Sequence, residues 1–218
     1  MEVGKQCRHV YFPTADGFIS VMAALHERAS LEVGIVGSEG MLGVSLILGV
    51  NIAPLHAVVQ VEGPALRMDA RAFRFELERS PALKKRLNCY AYVLMSQLAQ
   101  TAICTGYHLI QARLARWLLM TRDRVCRDSL HLTHESLANM LGVRRVGITR
   151  AAGSLEALKL IRYSRGRITV LDHLGLYRVA CQCYQDGIDT YDQILGATRS
   201  PAGPLPARTR IHRRKRIR

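Results

Sequence analysis

No run of about 18 or more apolar residues occurs in the sequence, so no helix that spans a membrane is expected. The first residues, MEVGKQCRHVYF, lack the apolar stretch of a secretory signal. The cysteines are scattered at 7, 89, 104, 126, 181 and 183, without the dense framework of small secreted domains. A reducing cytoplasm is the simplest compartment. Aromatic residues are sparse, at 6%. Acidic side chains are few as well: 17 Asp and Glu against 31 Lys and Arg, a formal charge of +14. That excess favours a polyanionic partner, nucleic acid before an acidic membrane surface. The plainer reading is solubilising charge with no partner, but the basic residues cluster late in the chain.

What is present is an ordinary soluble balance of 49% hydrophobic and 22% charged residues. A chain of 218 residues can bury a full core without staples, as one large domain or two small ones. From His9 to Met68 short β-like runs alternate with glycine-bearing turns: 9–12, 18–24, 29–36, 57–61 and 65–68. Such spacing predicts a small barrel or sandwich. Near Asp69 the character changes. Ala70 to Glu78 reads as a short helix, and Ser80-Pro81 opens a longer one, because proline at the first helical position forfeits no hydrogen bond. Along that helix Leu83, Leu87, Tyr90, Leu94, Gln97, Thr101 and Cys104 recur at steps of four and three. Ala91, Met95, Leu98 and Ala102 form a second stripe. Two stripes imply two contacts, and the first is expected to be the seam of a parallel dimer. The alternative is a helix packed only on its own domain. Gly106 is expected to break the helix, which places a hinge at 104–107. His108 to Arg127 reads as the next helix.

The stretch from His131 to Ile161 carries the most information. Thr133 is a good N-cap, Glu135 suits the first turn, and Leu137, Ala138 and Leu141 form an apolar side. Gly142 can take the positive φ of a tight turn. Arg144 to Leu158 reads as a second helix, anchored inward by Val146, Ile148, Leu155 and Leu158. Arg144, Arg145, Gly147, Thr149 and Arg150 stand at its N-terminal end, where a recognition helix meets base edges. Ile161-Arg162-Tyr163 and Arg167 to Leu171 read as two strands joined at Ser164-Arg165-Gly166. This hairpin is a wing whose Arg165 and Arg167 suit phosphates.

These residues, Leu137-Ala138, Leu141-Gly142-Val143, Arg145 and Ile148-Thr149-Arg150, resemble the helix-turn-helix of the Crp/Fnr transcription regulators. The resemblance covers roughly residues 9 to 185. It implies an α+β chain with a β-roll over 1–80, a dimerisation helix over 81–104, and a winged helix-turn-helix over 108–185. It also implies a homodimer that binds double-stranded DNA, works through RNA polymerase, and is not an enzyme.

The sequence departs from that pattern in several places. Gly40 matches the family's ribose-binding glycine, but Met41 stands where its glutamate belongs. Leu55 and His56 stand near the positions of the arginine and serine that hold a cyclic phosphate. Without the arginine's charge-assisted pair, cyclic AMP is not the expected ligand. Glu39 and His56 remain candidates for a different ligand, although a glutamate at a turn is more often only solvated. The effector is unknown. One N-terminal cysteine, Cys7, does not make an iron–sulfur site. His9, His26 and His56 are conceivable haem ligands, yet lone histidines near strands are more often structural. Cys181 and Cys183, read as lying on the last helix, would point about 200° apart. They suggest core packing and no metal site. Where many members carry a glutamate after the first recognition arginine, this chain has Val146. The roll begins almost at once, so Cys7 and the residues before it are expected to lack order, with an unpaired strand edge nearby.

Asp69, Glu76, Glu78, His131, His134 and Asp172 offer acid–base groups, but none has a spacing tied to catalysis. A second reading keeps the chain as a ligand-independent regulator or adaptor whose roll is only structural. After Gly196 the proline-rich, then basic segment 197–218 is expected to be disordered and to add non-specific DNA affinity through Arg208, Arg210, Arg213, Arg214, Lys215, Arg216 and Arg218.

Overall fold

The computed structural model describes residues 1–14, 16–25, 29–125 and 127–196. The expected tail at 197–218 lies outside these residues, as do His26 and Cys126.

Five strands build the N-terminal part: β1 (His9–Pro13), β2 (Phe18–Leu25), β3 (Ala29–Val36), β4 (His56–Val61) and β5 (Ala65–Asp69). They match the five β-like runs to within a residue or so. β1 pairs antiparallel with β5, placing Val10 opposite Met68. A second sheet has the order β3-β2-β4. Its pairing shifts register at Val21/Met22 and at Phe18/Ile19, irregularities that bend a strand. The segment before β1 is ordered, contrary to expectation. Backbone hydrogen bonds tie Gly4 and Cys7 to Ala53 and Asn51, and Cys7 is buried. Apolar side chains are exposed on β4 and β5, at Val58, Val59 and Leu66.

Two helices follow. Asp69 caps α1 (Ala70–Arg79) by accepting from the Arg71 and Ala72 amides. Ser80 caps α2 (Pro81–Tyr107), with Pro81 at the first position. α2 has 27 residues, about 40 Å at 1.5 Å per residue. Gly106 does not end it. The helix runs to Tyr107 and is capped by His108 in extended conformation, so the turn into the next helix is His108-Leu109. A helix-interior glycine costs only about 1 kcal/mol, less than continued packing can offset.

The remaining elements are α3 (Ile110–Arg122), β6 (Ser129–His131), α4 (His134–Leu141), α5 (Arg145–Ala157), β7 (Ile161–Ser164), β8 (Arg167–Val170), α6 (His173–Val179) and α7 (Cys183–Leu195). α3 is shorter than the run from His108 to Arg127. α7 extends past 185 and packs back along α2, and its Leu195 joins the core of the roll with Met41, Phe73, Leu87 and Tyr90. The larger core is centred on Leu114, Leu118, Leu137, Ile148 and Leu155, and it takes in Phe18 and Ile35 from the roll. Phe18 meets Trp117 edge-on, with ring centroids 6.5 Å apart. The two halves therefore share apolar packing.

Candidate nucleic-acid interface

α4, its turn and α5 form a helix-turn-helix. Thr133 accepts from the Ser136 amide at 3.0 Å, satisfying one of the free donors at the start of α4. Gly142 ends α4 at φ 62°, ψ 41°, a left-handed conformation that side chains resist. It also lies against Leu31 of β3, where a Cβ would come 3.1 Å from the leucine methyl. The small Ala138 of α4 is buried in the core, and α4 packs against α5. Ile148, Ala151, Ala152 and Leu155 fasten α5 to the core.

This anchoring leaves Arg144, Arg145, Thr149 and Arg150 exposed around the first turns of α5. Arg144 is the N-cap rather than the first helical residue. Val146 and Leu158, expected inside, are each 55% exposed. On a helix held through 148, 151, 152 and 155, position 146 falls on the opposite side. Gly147 lies where α5 approaches α3. It is half-buried, and a Cβ there would come 2.8 Å from the Ile110 Cδ1 methyl of α3, so a small residue suits this close approach.

The wing is a hairpin of β7 and β8, extended by β6 in the order β6-β8-β7. Arg165 and Gly166 take φ of 49° and 74° at its tip. Successive positive φ values give the turn whose twist matches paired strands. Arg165 and Arg167 are exposed there. Tyr163 donates from its hydroxyl to the Leu132 carbonyl at 3.1 Å, tying the wing to the start of the helix-turn-helix.

His134, named from the sequence only as one of several acid–base groups, has a role at this junction that the sequence did not show. His134 stacks on Tyr163, with centroids 4.2 Å apart, and its Nδ1 lies 3.0 Å from the Thr149 hydroxyl. It links the start of α4, the recognition helix and the wing. Burial and, second, the charge of Arg145 hold its pKa below the ordinary value, so it is neutral near pH 7. Its position one residue after the N-cap was the only signal in the sequence.

The candidate ligand residues are engaged in different ways. Glu39 is not solvated. Its carboxylate accepts from Arg124 just beyond α3, with both guanidinium contacts at 2.8 Å. Gly40 is filled from outside: a Cβ there would overlap the Tyr90 ring. Met41 is fully buried in the roll core. Leu55 is half-buried beside Ile19 and Val36, and His56 opens β4 opposite Met22. A cavity of about 30 Å³ lies elsewhere, between Glu32, Gln97, Thr101, Arg113 and Trp117. It has room for about one water. Glu32 is buried there and hydrogen-bonded by Ser20 and by the Trp117 indole, the latter at 2.7 Å. Desolvation raises its pKa to about 7 despite those donors.

The expected seam on α2 also needs correction. Leu87, Tyr90, Gln97 and Thr101 are buried within the chain, and Leu83 and Leu94 are partly so. Gln97 accepts from the Ile35 amide of β3 at 3.0 Å. The stripe chosen for a partner is therefore the inward face. The exposed face bears Tyr92, Met95, Ala99, Ala102 and Ile103. Periodicity finds stripes but does not say which one the roll covers.

Residues 112–179 match the family model of the Crp-like helix-turn-helix domain. No curated protein matches the chain at significant similarity. Among solved structures, a CRP-family transcriptional regulator from Thermus thermophilus superposes with a TM-score of 0.65 at 20% identity, covering 82% of this chain and 90% of the other. A CRP/FNR-family regulator from the same organism gives 0.62 at 19% identity, covering 83% and 96%. FixK2 from Bradyrhizobium japonicum gives 0.69 at 12% identity, covering 82% and 90%. The chain thus has the fold of the Crp/Fnr transcription regulators and carries a Crp-like helix-turn-helix domain over residues 112–179.

Proposed function

We propose that this protein is a sequence-specific DNA-binding transcription regulator of the cytoplasm, acting as a homodimer and without catalytic activity. The observation that carries the reading is the presentation of Arg145 and Arg150, exposed on a helix whose opposite side is buried through Ile148 and Leu155. A guanidinium can engage guanine O6 and N7 bidentately in the major groove. Val146, exposed between them, offers an apolar contact to a thymine methyl in place of a carboxylate that would seek cytosine. Thr133, Arg144, Arg165 and Arg167 supply phosphate contacts that set register on the duplex. Thr149 is braced by His134 and holds the helix rather than reading a base.

The homodimer forms through the outward face of α2. Tyr92 and Met95 are 55% and 62% exposed, and apolar side chains at heptad spacing gain from a second copy of the same helix. Each copy then presents one recognition helix to a half-site. RNA polymerase is the partner through which such a regulator acts.

In this reading the roll answers to a signal other than cyclic AMP. Tyr90 occupies the space beside Gly40, Arg124 occupies Glu39, and no arginine stands at Leu55 or His56. The same filling supports a second reading, in which the roll is purely structural. Thermal-shift screening separates the two, because a ligand that binds only the folded state raises the melting temperature. DNA binding itself is tested by selecting sites from random duplexes and titrating the winners at several salt concentrations. Affinity that depends only on salt, with no sequence preference, overturns the proposal.

A further inference from the structure

Cys104, His108, Cys181 and Cys183 come together where the end of α2 meets the turn between α6 and α7. One ligand atom from each lies within 4.8 Å of all the others. His108, the C-cap of α2, stands four residues after Cys104 and donates its amide to the Cys104 carbonyl, which holds the two residues together at the end of the helix. Cys181 and Cys183 are not on one helix. Cys181 lies in the turn after α6, and α7 begins at Cys183. Gln182 between them is the N-cap of α7, and both sulfurs reach the cluster although only Cys183 lies on the helix.

We propose that these four side chains form a Zn²⁺ site. The Cys104 and Cys181 sulfurs are 3.5 Å apart, and Cys183 Sγ is 3.5 Å from His108 Nδ1. A tetrahedral zinc with ordinary Zn–S and Zn–N lengths separates two sulfurs by about 3.8 Å and a sulfur from a nitrogen by about 3.6 Å. These two edges are therefore close to those of a zinc shell, and the sulfur pair is far from the roughly 2.05 Å of a disulfide. The three cysteines are buried, and His108 is partly accessible, leaving a route for the ion. The surroundings suit the charge. Three thiolates and a neutral imidazole around Zn²⁺ carry a net charge of −1. The Arg116 guanidinium is buried against Cys104, and its Nε has no hydrogen-bond partner within the protein. Arg113 is buried nearby. Buried cations of this kind call for a negative partner. On binding, three thiol protons leave to solvent. The ion then clamps the last turn of α2 to the α6–α7 turn and fixes the angle at His108-Leu109. The effect of that clamp on operator affinity rests on the DNA-binding reading above; the presence of the site does not.

The full chain, purified untagged under reducing conditions, is the material for the test. Metal analysis should find one zinc per chain. Titration of the metal-free chain with Co²⁺ should produce thiolate-to-metal charge-transfer bands and the visible bands of tetrahedral cobalt, and Zn²⁺ should abolish them. Alkylation mapped by mass spectrometry should show Cys104, Cys181 and Cys183 protected until a chelator is added. His108→Ala and Cys183→Ser should each weaken Co²⁺ binding by at least about tenfold, while Cys89→Ser leaves it unchanged. Circular dichroism of each variant confirms folding, and His108→Ala, which leaves the sulfur packing intact, keeps the test valid if a cysteine variant unfolds. Absence of cobalt bands in the folded, fully reduced wild-type chain overturns the site. Thiol protection that persists with chelator present, through a Cys104–Cys181 disulfide, overturns it too.

Discussion

Arg124, two residues past the end of α3, places its guanidinium 2.8 Å from the Glu39 carboxylate in the β3–β4 loop, and the two side chains are only 9% and 12% exposed. This nearly buried ion pair joins the β3–β4 loop to the end of the helix that leads into the helix-turn-helix domain. Arg124 also lies over the Tyr191 ring of α7 at 5.9 Å, so three segments meet at one charge.

Removing one partner should cost far more than removing both. Glu39→Ala or Arg124→Ala leaves an uncompensated buried charge and should destabilise by about 3–5 kcal/mol. The combined Glu39→Ala/Arg124→Ala change should cost clearly less than the sum. Chemical denaturation of the four proteins supplies the cycle, and additive losses would show that the pair is not coupled.

Charge removal on α5 should separate specificity from affinity. Arg145→Ala and Arg150→Ala are each expected to lose about 1–3 kcal/mol on the selected site and to relax preference at one base. Arg165→Ala with Arg167→Ala should weaken all duplexes alike and lower the salt slope by about 2. Competition binding over a range of salt checks both outcomes, and unchanged preference in the double Arg145/Arg150 variant would remove the assigned role.

Stability should fall as pH rises from about 4.5 to about 7. The Glu32 carboxyl titrates near 7 when folded, against an ordinary value of 4.5. The folded state therefore holds more protons across that window, and stability declines until both forms are ionised. The shift sets an upper bound of about 3 kcal/mol. Glu32→Gln keeps a carbonyl for the Trp117 indole and should flatten the profile, leaving the variant more stable than wild type at pH 8. Denaturant midpoints at several pH values measure it.

If the proposed homodimer forms through the outward face of α2, Met95→Glu should separate it without unfolding the monomer. Met95 is 62% exposed, so the new charge meets water in one chain and an opposing copy of itself in two. Thr101→Glu instead buries a charge inside the chain, since Thr101 is 9% exposed, and should destabilise the fold. Analytical ultracentrifugation with thermal unfolding distinguishes the faces. A dimer that survives Met95→Glu would place the interface elsewhere.

What was legible in the sequence was local in origin. The strand runs, the Ser80-Pro81 start, the Thr133 cap, the Gly142 turn and the Arg165-Gly166 hairpin are each written within a few residues. Caps, left-handed turns and alternation depend on neighbouring backbone groups alone. The winged helix-turn-helix and its exposed arginines followed from them. Val146 and Leu158 were misplaced because apolar residues were assumed to face inward, while the helix is oriented by the small residues Ala151 and Ala152 as much as by the large ones.

Tertiary structure decided what depends on distant segments. Whether a stripe of α2 faces β3 or a partner turns on the Gln97–Ile35 contact, 62 residues apart in sequence. Glu39 meets Arg124 across 85 residues, and Cys104 meets Cys181 across 77. No periodicity encodes such encounters. They arise when the shared apolar core around Phe18, Ile35 and Trp117 draws the two halves together and brings polar groups from separate helices into contact.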